Sequence, residues 1–132
     1  MIEVYYHEKE GYNPFFIREG WQVAQLNYQP MNGFDDIDKI EVHRSTDEVF
    51  ILFKGKAVLI AAEPDEMSFE CVQMKTGVTY NISAGTWHNI AMDKDAELII
   101  VEKSDTHKQD CAYIGLDLEQ RQKLYKEITN RL

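Results

Sequence analysis

The chain reads as an all-β protein, a sandwich or barrel of short strands followed by one C-terminal helix. Three observations predict it. From Trp21 to Glu102 apolar side chains tend to recur at every second position, the period of a strand with one buried face. Turn-forming residues interrupt that pattern at short intervals, leaving no room for the crossover helices of βαβ units. From Leu116 onward the period lengthens, with Leu124, Ile128 and Leu132 each four positions apart.

Taken in order, the N-terminus MIEVYYHEKE interleaves acids with its apolar residues from the third position. It lacks the continuous apolar segment of a secretory signal, and a cytoplasmic location is expected. Tyr5, Tyr6, Tyr12, Phe15 and Phe16 form an aromatic arm suited to covering the barrel or meeting a partner. Strands are predicted over 21–28, 39–43, 48–53, 57–62, 68–74, 79–82, 87–92 and 97–102. Gln29 to Asp38, with its proline, glycine and aspartates, is expected to be a loop at a pocket rim. Gly55 between two lysines supplies a turn residue, Glu63-Pro64-Asp65-Glu66 breaks a ladder, and Asp93-Lys94-Asp95 is a polar tip. Asp117 followed three residues later by Gln120 is a capping box opening an amphipathic helix to residue 132. Leu124, Tyr125, Ile128 and Leu132 are its packing stripe.

Composition excludes several classes. A chain of 132 residues suits one domain, and 14 Lys and Arg against 23 Asp and Glu give a formal charge of −9. That charge repels a phosphate backbone and an anionic membrane surface alike, so neither nucleic acid nor membrane is an expected partner. The longest apolar runs, 49–53 and 57–62, fall far short of the about 20 residues that a spanning helix needs. Cys71 and Cys111 are the only cysteines. They are far apart in sequence, so reduced thiols acting as small apolar fillers are expected.

His43, Glu48 and His88 are the residues that carry chemistry. Side chains at i and i+2 of a strand share a face, so Glu41 points with His43, Glu48 with Phe50 and Leu52, and His88 with Ile90 and Met92. With those faces inward, two imidazoles and a carboxylate meet at one end of the barrel, a donor set for a divalent cation. Phe50, Leu52, Tyr80, Ile82, Ile90 and Met92 are then the expected wall of a small-molecule pocket. The bland alternative is a capped surface histidine at 43 and a buried histidine satisfied by backbone carbonyls at 88.

The spacing Glu41-x-His43-x4-Glu48-x6-Gly55, followed by Gly77-x5-Ser83-x-Gly85-x2-His88, resembles the two motifs of the cupin family. The resemblance spans about 21–103. It implies a jelly-roll barrel, or double-stranded β-helix, of antiparallel strands, with the helix of about 117–132 appended and a metal or ligand site in the barrel mouth. It also implies pairing into homodimers. Glu41 stands where the family has its first histidine ligand, Ser83 replaces a proline, and Met92 stands where an asparagine often ends the second motif. A carboxylate at 41 favours manganese, iron or magnesium-like ions over soft metals, with Fe, Mn, Zn and Ni all open. Glu41, His43, Glu48 and His88 are therefore the expected metal ligands. Three functions follow: a metal-dependent enzyme such as a dioxygenase, isomerase or lyase; a binding module for a small ligand; or a barrel valued for dimerisation alone.

Overall fold

The alternating segments pair into two antiparallel sheets of five strands each. The computed structural model describes residues 1–132 apart from the side chains of residues 107 and 109; His107, in a polar, aperiodic segment of the sequence, thus falls outside the described side chains. The first sheet holds β1 (Gly11–Arg18), β2 (Trp21–Asn27), β4 (Glu48–Lys54), β7 (Thr79–Ile82) and β9 (Glu97–Glu102), in the order β1-β2-β9-β4-β7. The second holds β3 (Lys39–Val42), β5 (Ala57–Glu63), β6 (Ser68–Gln73), β8 (Trp87–Met92) and β10 (Ala112–Gly115), in the order β10-β3-β8-β5-β6. Pro30–Asn32 forms one 3-10 turn, and two helices lie toward the C-terminus, α1 (Thr106–Gln109) and α2 (Leu118–Arg131). No described helix is long and apolar enough to cross a membrane.

Parity decides where the core sits. Leu26, Phe50, Leu52, Leu59, Ile90, Met92, Leu98 and Ile100 face inward from both sheets and form one buried cluster. The opposite face of the second sheet supplies Val58, Ile60 and Ala91 to another, closed by Leu124 and Ile128 of α2. The expected capping box is present: Gln120 N donates to the Asp117 carboxylate at 2.8 Å, and Asp117 N donates to the Gln120 side chain at 2.9 Å. Leu124 and Ile128 are 0% and 1% exposed, and each such side chain removed from water stabilises by about 2 kcal/mol. Leu132 departs from the expected stripe, at 52% exposed, because α2 ends at Arg131 and the chain has passed the sheet.

Two strands escaped the alternation. In β1, Pro14 removes a ladder donor and the register with β2 slips between Asn13 and Phe16, as happens at sheet edges. In β10 Ala112 to Gly115 pair with β3, and none of the four is buried, so no inward face imposes a period. The aromatic arm lies against the edge of the first sheet: Tyr5 packs on Phe15 and Phe16, and Gln25 and Asn27 donate to the His7 carbonyl.

Gly55 in the β4–β5 turn has φ +77°, and a Cβ there would stand 2.5 Å from backbone atoms of Ala96. Both the handedness and the close approach demand glycine, and the turn thereby aligns β4, which carries Glu48.

Candidate metal centre

Strand register assembles the site. Glu41 on β3 lies directly opposite His88 on β8, and Glu48 on β4 lies opposite Glu102 on β9. His43 follows the end of β3, where its carbonyl accepts from Gly85 N at 2.8 Å. Gly85, with φ +83°, completes the turn that leads into β8, so the two motifs are bonded to each other. Asp47 secures the same turn by accepting from Ala84 N at 2.9 Å and Asn81 Nδ2 at 3.1 Å. The Ala84 bond and then the Asn81 bond hold its carboxyl below the usual range.

The donor atoms converge. His88 Nε2 is 3.0 Å from Glu48 Oε2, His43 Nε2 is 3.3 Å from the same oxygen, and His88 Nε2 is 3.8 Å from Glu41 Oε1. His43, Glu48 and His88 are each at most 6% exposed. Both rings are held from behind, since His43 Nδ1 donates to the Asp110 carbonyl and His88 Nδ1 donates to the Thr86 carbonyl at 2.9 Å. A carbonyl can only accept, so Nδ1 carries hydrogen in each ring. In the neutral tautomer this leaves Nε2 as a lone pair facing inward.

His88 Nε2 and Glu48 Oε2 are buried without a hydrogen-bond partner despite their closeness. Two buried acceptors facing each other are costly unless a proton or a cation lies between them. Donors about 2.1 Å from a single cation stand about 3 to 3.5 Å from one another, which the 3.0 and 3.3 Å separations match. Burial pulls the His88 pKa down, but the Glu48 carboxylate, the Thr86 carbonyl and Glu41 outweigh it and leave the pKa raised.

Sequence spacing does not point to Glu102, yet the fold brings it to the site. It is 5% exposed; one oxygen accepts from Tyr12 Oη at 2.6 Å and Gln22 Nε2 at 3.1 Å, while the other has no partner. Burial, and then the Glu48 charge, raises its pKa. Burial followed by the Glu102 charge raises that of Tyr12, which stays a donor. Parity offered the signal, because Leu98, Ile100 and Glu102 share one face and a carboxylate at the third inward position breaks an apolar row.

Above these groups lies a cavity of about 220 Å³. Phe50 and Ile90 line it with Glu41, His43, Glu48 and His88. The remaining expected wall residues sit elsewhere: Leu52 and Met92 are sealed in the core, while Tyr80 and Ile82 border a separate hollow beside β6. The β4 and β8 side chains four positions beyond the donors descend below the cavity floor. Ile100 and Leu26 supply apolar wall in their place, and Tyr12, Cys111 and Tyr113 complete the lining. Cys111 is thus no apolar filler. Its Sγ donates to Glu41 at 3.5 Å, and burial above all pushes the thiol up to about 11.

No protein-family model and no curated protein matches the sequence. Solved structures do match. A cupin-2 domain protein from Shewanella frigidimarina is similar over 74% of this chain and 84% of its own, with a TM-score of 0.53 and 15% identity. The chain is built on the cupin fold. A variant of PAC13 from Streptomyces, solved with uridine, is similar over 90% of this chain and 96% of its own at a TM-score of 0.62 and 12% identity. CapF, solved with 3-isopropenyl-tropolone, reaches 0.62 at 21% identity, over 81% of this chain and 33% of CapF. At such identities the cupin likeness speaks for architecture alone, and what this cupin barrel does rests on its own side chains.

Proposed function

We propose that the chain holds a divalent cation between His43 Nε2, His88 Nε2 and Glu48 Oε2, and that the cavity beside it takes a small molecule, bound or transformed there. The observation that carries this reading is the pair of buried, unpartnered acceptors, His88 Nε2 and Glu48 Oε2, at 3.0 Å. Both imidazoles are held at Nδ1 by backbone carbonyls, the arrangement that orients a ligating ring and raises its basicity. A cation bound there supplies Lewis acidity toward an oxygen of the small molecule. The chain's part is to fix the donors and keep the space dry, with Phe50, Ile90 and Ile100 as apolar wall. The space of about 220 Å³ lies below the roughly 300–1,000 Å³ of drug-sized sites, which favours a compact metabolite. Mixed nitrogen and carboxylate donors favour manganese or iron, with zinc and nickel as competitors. A solved oxalate decarboxylase from Bacillus subtilis, described for its Mn(II) centres, is similar over 76% of this chain and 24% of its own at a TM-score of 0.50 and 15% identity.

Metal analysis of protein purified without chelator tests this directly. About one equivalent per chain, lost in His88→Ala, is expected; no more than trace metal in both proteins after incubation with Mn(II), Fe(II), Zn(II) and Ni(II) would refute it.

A second reading has an observation of its own. The raised pKa of His88 beside Glu48 lets an imidazolium–carboxylate pair neutralise the site unaided, leaving a metal-free barrel that binds a small ligand. Metal analysis separates the two readings.

We also infer that the chain pairs with a second copy through the outer face of the first sheet, where register aligns Phe16, Val23, Val101 and Val49 across four strands. Trp21 and Phe53, at 46% and 41% exposed, extend that apolar row, which calls for cover. Free thiols at Cys71 and Cys111 suit a reducing cytoplasm.

A further inference from the structure

The structure assigns the fourth metal ligand to Glu102 on β9, in place of Glu41, whose position matches the family's first histidine. This inference rests on the metal reading above and specifies the donor set of that site.

Strand register creates the need for a cation at this point. Glu48 and Glu102 face each other directly across β4 and β9, and both are 5% exposed. Like charges in directly opposed positions destabilise a sheet, and among the described residues no lysine or arginine pairs with either. Such a pair is tolerated when a positive charge sits between the two carboxylates.

Orientation leads to the same place. The Tyr12 hydroxyl and Gln22 amide hold one oxygen of Glu102 and leave the other buried without a hydrogen-bond partner. Ligating atoms of His43, Glu48 and Glu102 lie within 4.8 Å of one another, and all three residues are buried. Glu41 also reaches His43 and His88 within that limit, but its side chain is 29% exposed and one of its oxygens accepts from Cys111. Glu41 therefore stands at the rim and Glu102 at the floor. Replacing a histidine ligand at 41 moves the fourth donor to the opposite sheet, and the set becomes two imidazoles and two carboxylates.

The test is titration of metal-stripped protein with Mn(II), following the free-ion signal by electron paramagnetic resonance. Glu102→Gln keeps the acceptor for Tyr12 and Gln22 but puts an uncharged amide toward the cation; its affinity is expected to fall at least tenfold, while Glu41→Gln stays within threefold of the parent. Thermal melting confirms that each variant is folded. Should Glu102→Gln not fold, Tyr12→Phe decides, because loosening the held oxygen is expected to weaken binding several-fold. Parent-like binding by the folded Glu102→Gln variant, or by Tyr12→Phe where that variant decides, overturns the assignment, as does a tenfold loss in Glu41→Gln with Glu102→Gln unaffected. His88→Ala separates the two levels. If it loses Mn(II) while Glu102→Gln does not, only the Glu102 assignment fails; if the parent protein does not bind Mn(II), the metal reading fails with it.

Discussion

Asp110→Ala is a perturbation that leaves every proposed ligand in place. The Asp110 carboxylate accepts from Arg44 N at 3.0 Å, Ser45 N at 2.8 Å and Ser45 Oγ at 2.6 Å, and its own carbonyl accepts from His43 Nδ1. Three bonds at about 0.5–1.5 kcal/mol each, taken at the low end because the group is solvated, amount to about 1–2 kcal/mol of stability. The Arg44 and Ser45 bonds hold the Asp110 carboxyl down at about 2. A lowered folded-state value means that this stabilisation is full above the unfolded value of about 4 and is lost as pH falls through about 2. Urea unfolding of metal-free protein at pH 7 and near pH 2.5 should therefore show a destabilisation of about 1–2 kcal/mol that shrinks in acid. Mn(II) affinity at pH 7 should also fall, by about tenfold, as the carbonyl behind His43 loses its anchor. An unchanged difference between the two pH values, or affinity equal to the parent's, would refute the reasoning.

Other outcomes follow from the packing. Leu124→Ala, at a position 0% exposed, should cost about 2–5 kcal/mol in urea unfolding, whereas Leu132→Ala should stay within about 0.5 kcal/mol. Gly55→Ala should destabilise by at least about 2 kcal/mol, since a positive φ alone costs about 1–2 kcal/mol and the new Cβ meets Ala96 backbone; a smaller loss means that the turn relaxes. Size-exclusion chromatography with light scattering should return a dimer, and Val101→Lys, at the centre of that half-buried outer ladder, a monomer; a monomeric parent rules out the pairing.

Strands with an unbroken two-residue alternation were legible in the sequence nearly to the residue, as β4, β7, β8 and β9 show. The information lay in side-chain parity, which a single buried face imposes on each strand. Where parity is broken the pattern misleads: Pro14 and the slipped register hid β1, and β10, with no buried face, carries no alternation to read. Convergence of His43, Glu48 and His88 was legible because each ends or begins an inward-facing row. Glu102 stayed hidden for a different reason. Its place in the site depends on which strand pairs with β4, and β9 lies over forty residues further along, a distance that local spacing does not encode. The depth of the pocket wall was likewise invisible, because parity gives the face of a side chain and not its height along the barrel.

The most direct trial of the central claim is a crystal grown or soaked in Mn(II) and measured across the manganese absorption edge. The account predicts an anomalous peak within about 2.0–2.3 Å of His43 Nε2, His88 Nε2 and a Glu48 oxygen. A well-ordered site with no anomalous peak there, and His88 Nε2 hydrogen-bonded to Glu48, would contradict it.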